Sequence, residues 1–162
     1  MEIHIAMQAL SGANPHAVGR ELLAALYRQE TGCELPAIAI ADRGKPYFPN
    51  SSWHFSITHT KCHAFCALAH NPIGIDAEEL DRDINLKLAD KILSAGERTQ
   101  YDAAPDKRLA LLTFWVLKEA AAKCTGEGLQ GYPKHTNFSL TDPRVTVRDG
   151  CLLAVITAEQ EN

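Results

Sequence analysis

Two stretches of this sequence carry charge where the apolar pattern calls for carbon. In and just before "FWVLKEAAAKCTGEGL", residues 114–129, Leu112, Trp115 and Val116 lie on one helical stripe, and Glu119 and Lys123 continue it at the next turns. A buried carboxylate and ammonium cost several kcal/mol unless they are paired or bind an ion. In "GIDAEEL", Asp76 and Glu78 alternate with Ile75 and Ala77. As a strand, this puts both acids on one face, with alpha carbons about 6.6 Å apart. Hard carboxylate oxygens suit Mg²⁺, which commonly binds one or two of them together with substrate phosphates. Glu119 could add a third oxygen ligand and Lys123 a charge for the phosphate. Each pattern has a plainer reading. D-x-E also occurs at exposed strand ends, and Glu-Lys pairs four apart are common on helix surfaces. Lys118 sits about 100° around the helix from Glu119, which leaves its part less defined.

Weaker signals surround these. "GKP" at 44–46 would hold Lys45 on a stiff turn. "FSITHT" offers the Thr58 hydroxyl and the His59 imidazole as phosphate donors, although a lone histidine near a strand is more often structural. Cys62, Cys66 and His70 invite a zinc reading. On one strand, however, positions four apart are about 13 Å from each other, too far to share an ion. These cysteines read instead as small core residues.

The elements that must position these groups follow from periodicity and punctuation. "MEIHIAMQAL" alternates like a strand. Asn14-Pro15 opens an amphipathic helix that Gly32 stops. "AIAIADRGKPYFPNSS" reads as a strand entering a turn-rich loop, followed by strands in "WHFSITHT", "KCHAFCALAH" and "IGIDAEEL". Residues 85–104 read as helical. Pro105-Asp106 starts a helix over 107–124, with Gly126 and Gly128 as stops. Two or three strands close the chain, with Asp149-Gly150 as a hairpin turn. Both long helices end at Thr-Gly, an echo that two related α+β halves would explain and that chance would explain equally well.

The 162 residues suit one compact unit, and a net charge of −4 gives no broad positive field for nucleic acid. Five cysteines without a CxxC pair fit reduced thiols in a cytoplasmic protein. No apolar run approaches the roughly 20 residues of a membrane span, and the amino end lacks the layout of a secretion signal.

Taken in order, "GKPYF", "FSITHT", "IGIDAEE" and "FWVLKEAAAKCTGEGL" resemble the 4′-phosphopantetheinyl transferases, most closely the longer, pseudo-dimeric type that activates peptide and polyketide synthetases. The resemblance implies an α+β fold of two similar halves, each a helix on a small, mostly antiparallel sheet, with the active site between them. Residues 1–72 would form the first half and 73–162 the second, as a monomer. It implies that Asp76, Glu78 and Glu119 hold Mg²⁺, or Mn²⁺ in its place, against the diphosphate of coenzyme A. Lys123 would neutralise phosphate charge, with Lys118 assisting. Thr58 and His59 would meet the 3′-phosphate side of the nucleotide, Lys45 would lie along the adenosine, and Arg20 would add a cation. Glu97, in "LSAGERTQY", matches a further acidic position.

The implied reaction moves phosphopantetheine from coenzyme A to a serine of an apo acyl or peptidyl carrier protein and releases 3′,5′-ADP. Glu119 is a candidate base for the serine proton, but a carboxylate beside Mg²⁺ is a weaker base, so Glu97 or a water is an alternative. Two competing readings remain: a Mg²⁺-dependent phosphohydrolase or nuclease, and a catalytically silent module that docks carrier proteins.

Overall fold

A computed structural model describes residues 2–128, 134 and 136–158. Leu129, the last residue of the helix motif, and the end of the second half therefore lie outside the described residues. Strand β1 (Ile3–Ala9) leads to helix α1 (Pro15–Thr31). A ribbon of β2 (Ala39–Ile40) and β3 (Pro46–Tyr47) precedes β4 (His54–His59), β5 (His63–Ala69) and β6 (Ile73–Glu79). Helices α2 (Ala89–Ile92), α3 (Ala95–Ala103) and α4 (Lys107–Thr125) then lead to β7 (Val145–Arg148) and β8 (Cys151–Thr157). The fold is mixed α+β with antiparallel sheets.

The long helices form where the sequence supplies caps. Asn14 accepts hydrogen bonds from the His16 and Ala17 amides, and Pro15 fills the first helical position. Asp106 accepts from the Leu109 amide at the start of α4. Gly32 and Gly126 close α1 and α4 in left-handed conformation, φ 72° and 75°, and donate back to the carbonyls of Arg28 and Ala122.

Two three-stranded sheets run in the orders β1-β5-β4 and β6-β8-β7, each with its last strand in the middle. Strand alternation sorts three cores. Ala64, Cys66 and Leu68 of β5 meet Leu22, Leu23 and Leu26 of α1. On the other face of β5, Phe65, Ala67 and Ala69 meet Ile73, Ile75 and Ala77 of β6 and Leu153 of β8. Leu152, Ala154 and Ile156 of β8 meet Leu112, Val116 and Ala120 of α4. The sheets thus share an apolar seam, with one helix on each outer face. Each fully buried Leu, Ile or Phe contributes roughly 1.5–3 kcal/mol.

Residues 85–104 are not one helix. A short 3₁₀ turn at Leu86–Leu88 runs into α2, and Leu93 turns extended at ψ 134°. The chain restarts as α3 because Ser94 and Glu97 form a capping box: the Glu97 amide donates to Ser94 Oγ at 3.3 Å, and the Ser94 amide donates to Glu97 Oε2 at 2.9 Å. Among the described residues two strands, not three, close the chain, because residues 139–144 turn around Ser139 and Asp142. Asp149 and Gly150, both at positive φ, make the expected hairpin turn.

Candidate active site

Strand β6 turns Gly74, Asp76 and Glu78 toward α4, since its other face belongs to the seam. Gly74 allows the close approach. A Cβ there would lie 1.9 Å from the Ala120 carbonyl oxygen and 2.4 Å from the Cys124 nitrogen, so any side chain would push the helix off the strand. With α4 pressed down, Lys123 reaches across β6. Its ammonium donates to Asp76 Oδ1 at 2.8 Å, to the Ile75 carbonyl at 3.2 Å and to Thr58 Oγ1 of β4 at 3.2 Å. The Thr58 hydroxyl in turn donates to Asp76 Oδ1 at 3.2 Å. The second joint between the sheets at this level is the Ile75 amide donating to Ser56 Oγ at 3.1 Å.

Asp76 is left incomplete. Its Oδ2 is buried and has no hydrogen-bond partner, alone in this among the buried side-chain nitrogens and oxygens of the described residues. Burial raises the Asp76 carboxyl above its ordinary range, against the pull of Lys123, Thr58 and Arg82. Burial and the neighbouring Asp76 charge also raise Glu78, despite its ion pair with Arg82 and a hydrogen bond to Trp115. Glu119, only 9% exposed, is pushed up to about 7 by burial and then by the charge of Asp76, with Lys123 opposing and Glu78 adding. The three carboxyls thus lie near enough to raise one another's proton affinity, although their oxygens do not all come within 4.8 Å of one another. An orphaned buried oxygen with two further carboxylates nearby is the donor chemistry of a hard divalent cation, so the residue types fit Mg²⁺.

An adjoining cleft has two lobes that share Gly44, Pro46, Ile57 and Lys123. One, of about 380 Å³, is lined by Lys45, Phe55 and Glu119. The other, of about 610 Å³, is lined by Arg20, Thr58, His59 and Asp76. The Lys45 ammonium donates to the Cys124 carbonyl at 2.6 Å, so it caps the carbonyl end of α4 while its stem walls the first lobe. Burial lowers its pKa.

Glu97 and Lys118 go elsewhere. They line neither lobe and pair with each other at 2.8 Å, at 0% and 1% exposure. Glu97 Oε1 also accepts from the Thr136 hydroxyl at 3.2 Å and the Phe138 amide at 3.0 Å. Burial lowers the Lys118 pKa, and Glu97 pulls it back up. Their neighbours hold the segment after α4 onto α3.

Three residues at the site were not anticipated. Arg82 offsets Glu78, Trp115 donates to it, and His16 lines the second lobe with its ring 5.4 Å from that of His59. Of these, His16 left a trace in the sequence: it stands four residues before Arg20 on α1, hence on the same helical face.

Residues 72–154, half of the chain, match the family model of the 4′-phosphopantetheinyl transferase superfamily. The chain belongs to this superfamily. It is 33% identical over 109 residues to 4′-phosphopantetheinyl transferase psf-1 of Bacillus pumilus, a match covering 65% of this chain and 46% of that protein. It is 31% identical over 96 residues to 4′-phosphopantetheinyl transferase of Bacillus subtilis, covering 57% and 42%. With 4′-phosphopantetheinyl transferase HetI of Nostoc it shares 34% identity over 95 residues, covering 54% and 40%. Each match thus spans less than half of the relative's length. Within this superfamily member, the matched segment contains the acids of β6, both pairing lysines of α4, Glu97 and Glu119. Arg20, Lys45, Thr58 and His59 lie before it. Among the described residues, no helix is long and apolar enough to cross a membrane.

Proposed function

We propose that this chain transfers the 4′-phosphopantetheine arm of coenzyme A to a serine hydroxyl of an apo carrier protein, in a reducing, cytoplasmic setting. The observation that carries the reading is the orphaned Asp76 Oδ2, buried in a carboxylate that pairs with Lys123, a residue shared by the two lobes of the cleft. The repeated sheet order and the twin Thr-Gly helix ends support a pseudo-dimer of residues 1–72 and 73–162, acting as a monomer, with the site where β4 meets β6.

Asp76, Glu78 and Glu119 would hold the Mg²⁺. Bound there, the ion supplies positive charge against the diphosphate of coenzyme A. The remaining work falls to the chain itself. Lys123, held by Asp76 and Thr58, presents its ammonium toward the cleft and offsets charge on the transferring phosphoryl group. Arg20, His16 and His59 line the second lobe as a cationic and hydrogen-bonding wall suited to the 3′-phosphate. Lys45 and Phe55 line the first lobe. Phosphoryl transfer needs mainly positioning and charge stabilisation, which such a cleft supplies.

The serine oxygen forms a bond to the β-phosphorus, the bond from that phosphorus to the bridging oxygen breaks, and 3′,5′-ADP leaves with the electron pair. The serine proton goes to Glu119 or to a water that Glu119 orients. Glu97 has both carboxyl oxygens engaged around Lys118, which supports a structural part for it and for Lys118.

The test is to incubate the protein with coenzyme A, Mg²⁺ and an apo carrier protein and to weigh the carrier. A gain of one phosphopantetheine is expected. Nucleotide release without a gain would replace this reading with a hydrolase. An unmodified carrier that still binds the chain would leave a docking module.

A further inference from the structure

The opposite face of β6 presents a second constellation, of different chemistry. Glu79 alternates away from Asp76 and Glu78, onto the side that carries Ile73, Ile75 and Ala77. There it meets His63, the first residue of β5, and Cys151, the first residue of β8, which is fully buried. One ligand atom from each of the three lies within 4.8 Å of the others. Cys151 Sγ is 3.7 Å from His63 Nδ1 and 3.6 Å from Glu79 Oε2.

These spacings are informative. Zinc bonds of about 2.0–2.3 Å in tetrahedral array separate neighbouring ligand atoms by about 3.3–3.8 Å. The two sulfur contacts match such edges, yet they are long for tight hydrogen bonds. Sulfur, imidazole nitrogen and carboxylate oxygen together form a mixed donor set suited to a borderline cation, unlike the all-oxygen set across the strand.

The surroundings also hold the ligands in place. Glu79 Oε1 accepts from the Cys62 amide at 3.2 Å, which fixes the carboxylate and leaves Oε2 toward the sulfur. Thr60 Oγ1 accepts from the Cys62 and His63 amides at 3.2 and 3.0 Å, and the Thr60 amide donates to the His63 carbonyl at 2.8 Å. The β4–β5 turn is thereby rigid, the outer-shell support that metal ligands need.

We infer that His63, Glu79 and Cys151 form a Zn²⁺ site, with water in the fourth position, that fastens the two sheets at the far end of their shared seam. Zinc displaces the thiol proton of Cys151 on binding, and the bound thiolate and Glu79 balance its two charges. His63 comes from one sheet and Glu79 and Cys151, paired in register on β6 and β8, from the other, so the ion ties together two sheets that no backbone ladder joins among the described residues. The inference does not depend on the proposed reaction.

The test uses Co²⁺ as a spectroscopic stand-in for Zn²⁺, added to the full chain under a non-thiol reductant with Mg²⁺ in large excess. Mg²⁺, a hard cation, is there to saturate carboxylate sites and does not compete for thiolate. A thiolate-to-cobalt charge-transfer band saturating at one equivalent is expected, with displacement by Zn²⁺ and a rise in Tm. Cys151→Ser and His63→Ala should each abolish saturation at one equivalent, and Cys33→Ser, altering an exposed cysteine elsewhere, should not. If Cys151→Ser fails to fold, as judged by circular dichroism, the half-buried His63→Ala decides. No band in the unaltered chain, or a stoichiometric band that survives either ligand substitution, overturns the site.

Discussion

Helix α4 carries two lysines that each reach a carboxylate at 2.8 Å, and the two pairs have opposite characters. Around Lys118 and Glu97, nearly every donor and acceptor is used: Ser94, Thr136 and Phe138 complete the carboxylate, and Lys118 also donates to Thr136 at 2.7 Å. Around Lys123 and Asp76, one carboxylate oxygen is left over, the lysine is a third exposed, and a cleft opens beside it. Equal ion-pair distances therefore say little about role. What separates a fastening from a working site is whether the hydrogen-bonding capacity is exhausted.

The largest effect that would test this contrast is on stability. Lys118→Met strands a buried carboxylate and should cost about 3–5 kcal/mol in urea denaturation. Lys123→Met, at a more exposed position, should cost much less. Equal losses would erase the distinction.

Next in size is an effect on rate alone. Glu119→Gln should lower carrier modification by about 10²–10³-fold, the scale of losing one stabilising group at a charge-developing centre, with folding unimpaired. A modest loss confined to KM would reassign Glu119 to binding.

The acids of the open pair also predict a pH response of the chain stripped of metal. Asp76, Glu78 and Glu119 all hold their protons more tightly folded than unfolded, Glu119 up to about 7. Their contribution to stability is thus fully present below the unfolded carboxyl range near pH 4 and is lost as pH rises through the folded values. In EDTA, Tm should fall between pH 5 and 8 and Mg²⁺ should restore it. A flat profile in EDTA would mean that the three acids do not crowd one another. Smallest is Thr58→Val, which removes one hydroxyl from the Asp76–Lys123 network and should cost about 1 kcal/mol. An unchanged denaturation midpoint would mean that the hydroxyl contributes nothing to the open pair.

Much of this was legible because it is local. The face shared by Asp76 and Glu78 follows from strand alternation, and the caps of α1 and α4 are written within a few residues of each end. The break inside residues 85–104 is also local: Ser94-x-x-Glu97 is a capping-box spacing, which a reading by apolar period passes over. The partners of charged groups were not legible. Glu97 meets Lys118, and Cys151 meets His63, only because distant strands and helices pack together, and no periodicity encodes that. Strand spacing excludes Cys62, Cys66 and His70 as joint ligands, but it says nothing about a cysteine arriving from the last hairpin.

Lys45 has one further consequence. It stands on the ribbon between α1 and β4, yet it seals the carbonyl end of α4, far along the chain. A cut in the short turn between β5 and β6 would give two fragments that each lack part of the other's wall: one with a lysine that has no helix to cap, the other with a helix end left bare. The molecule is in this sense a ready-made complementation pair, whose cleft exists only while both pieces are in register.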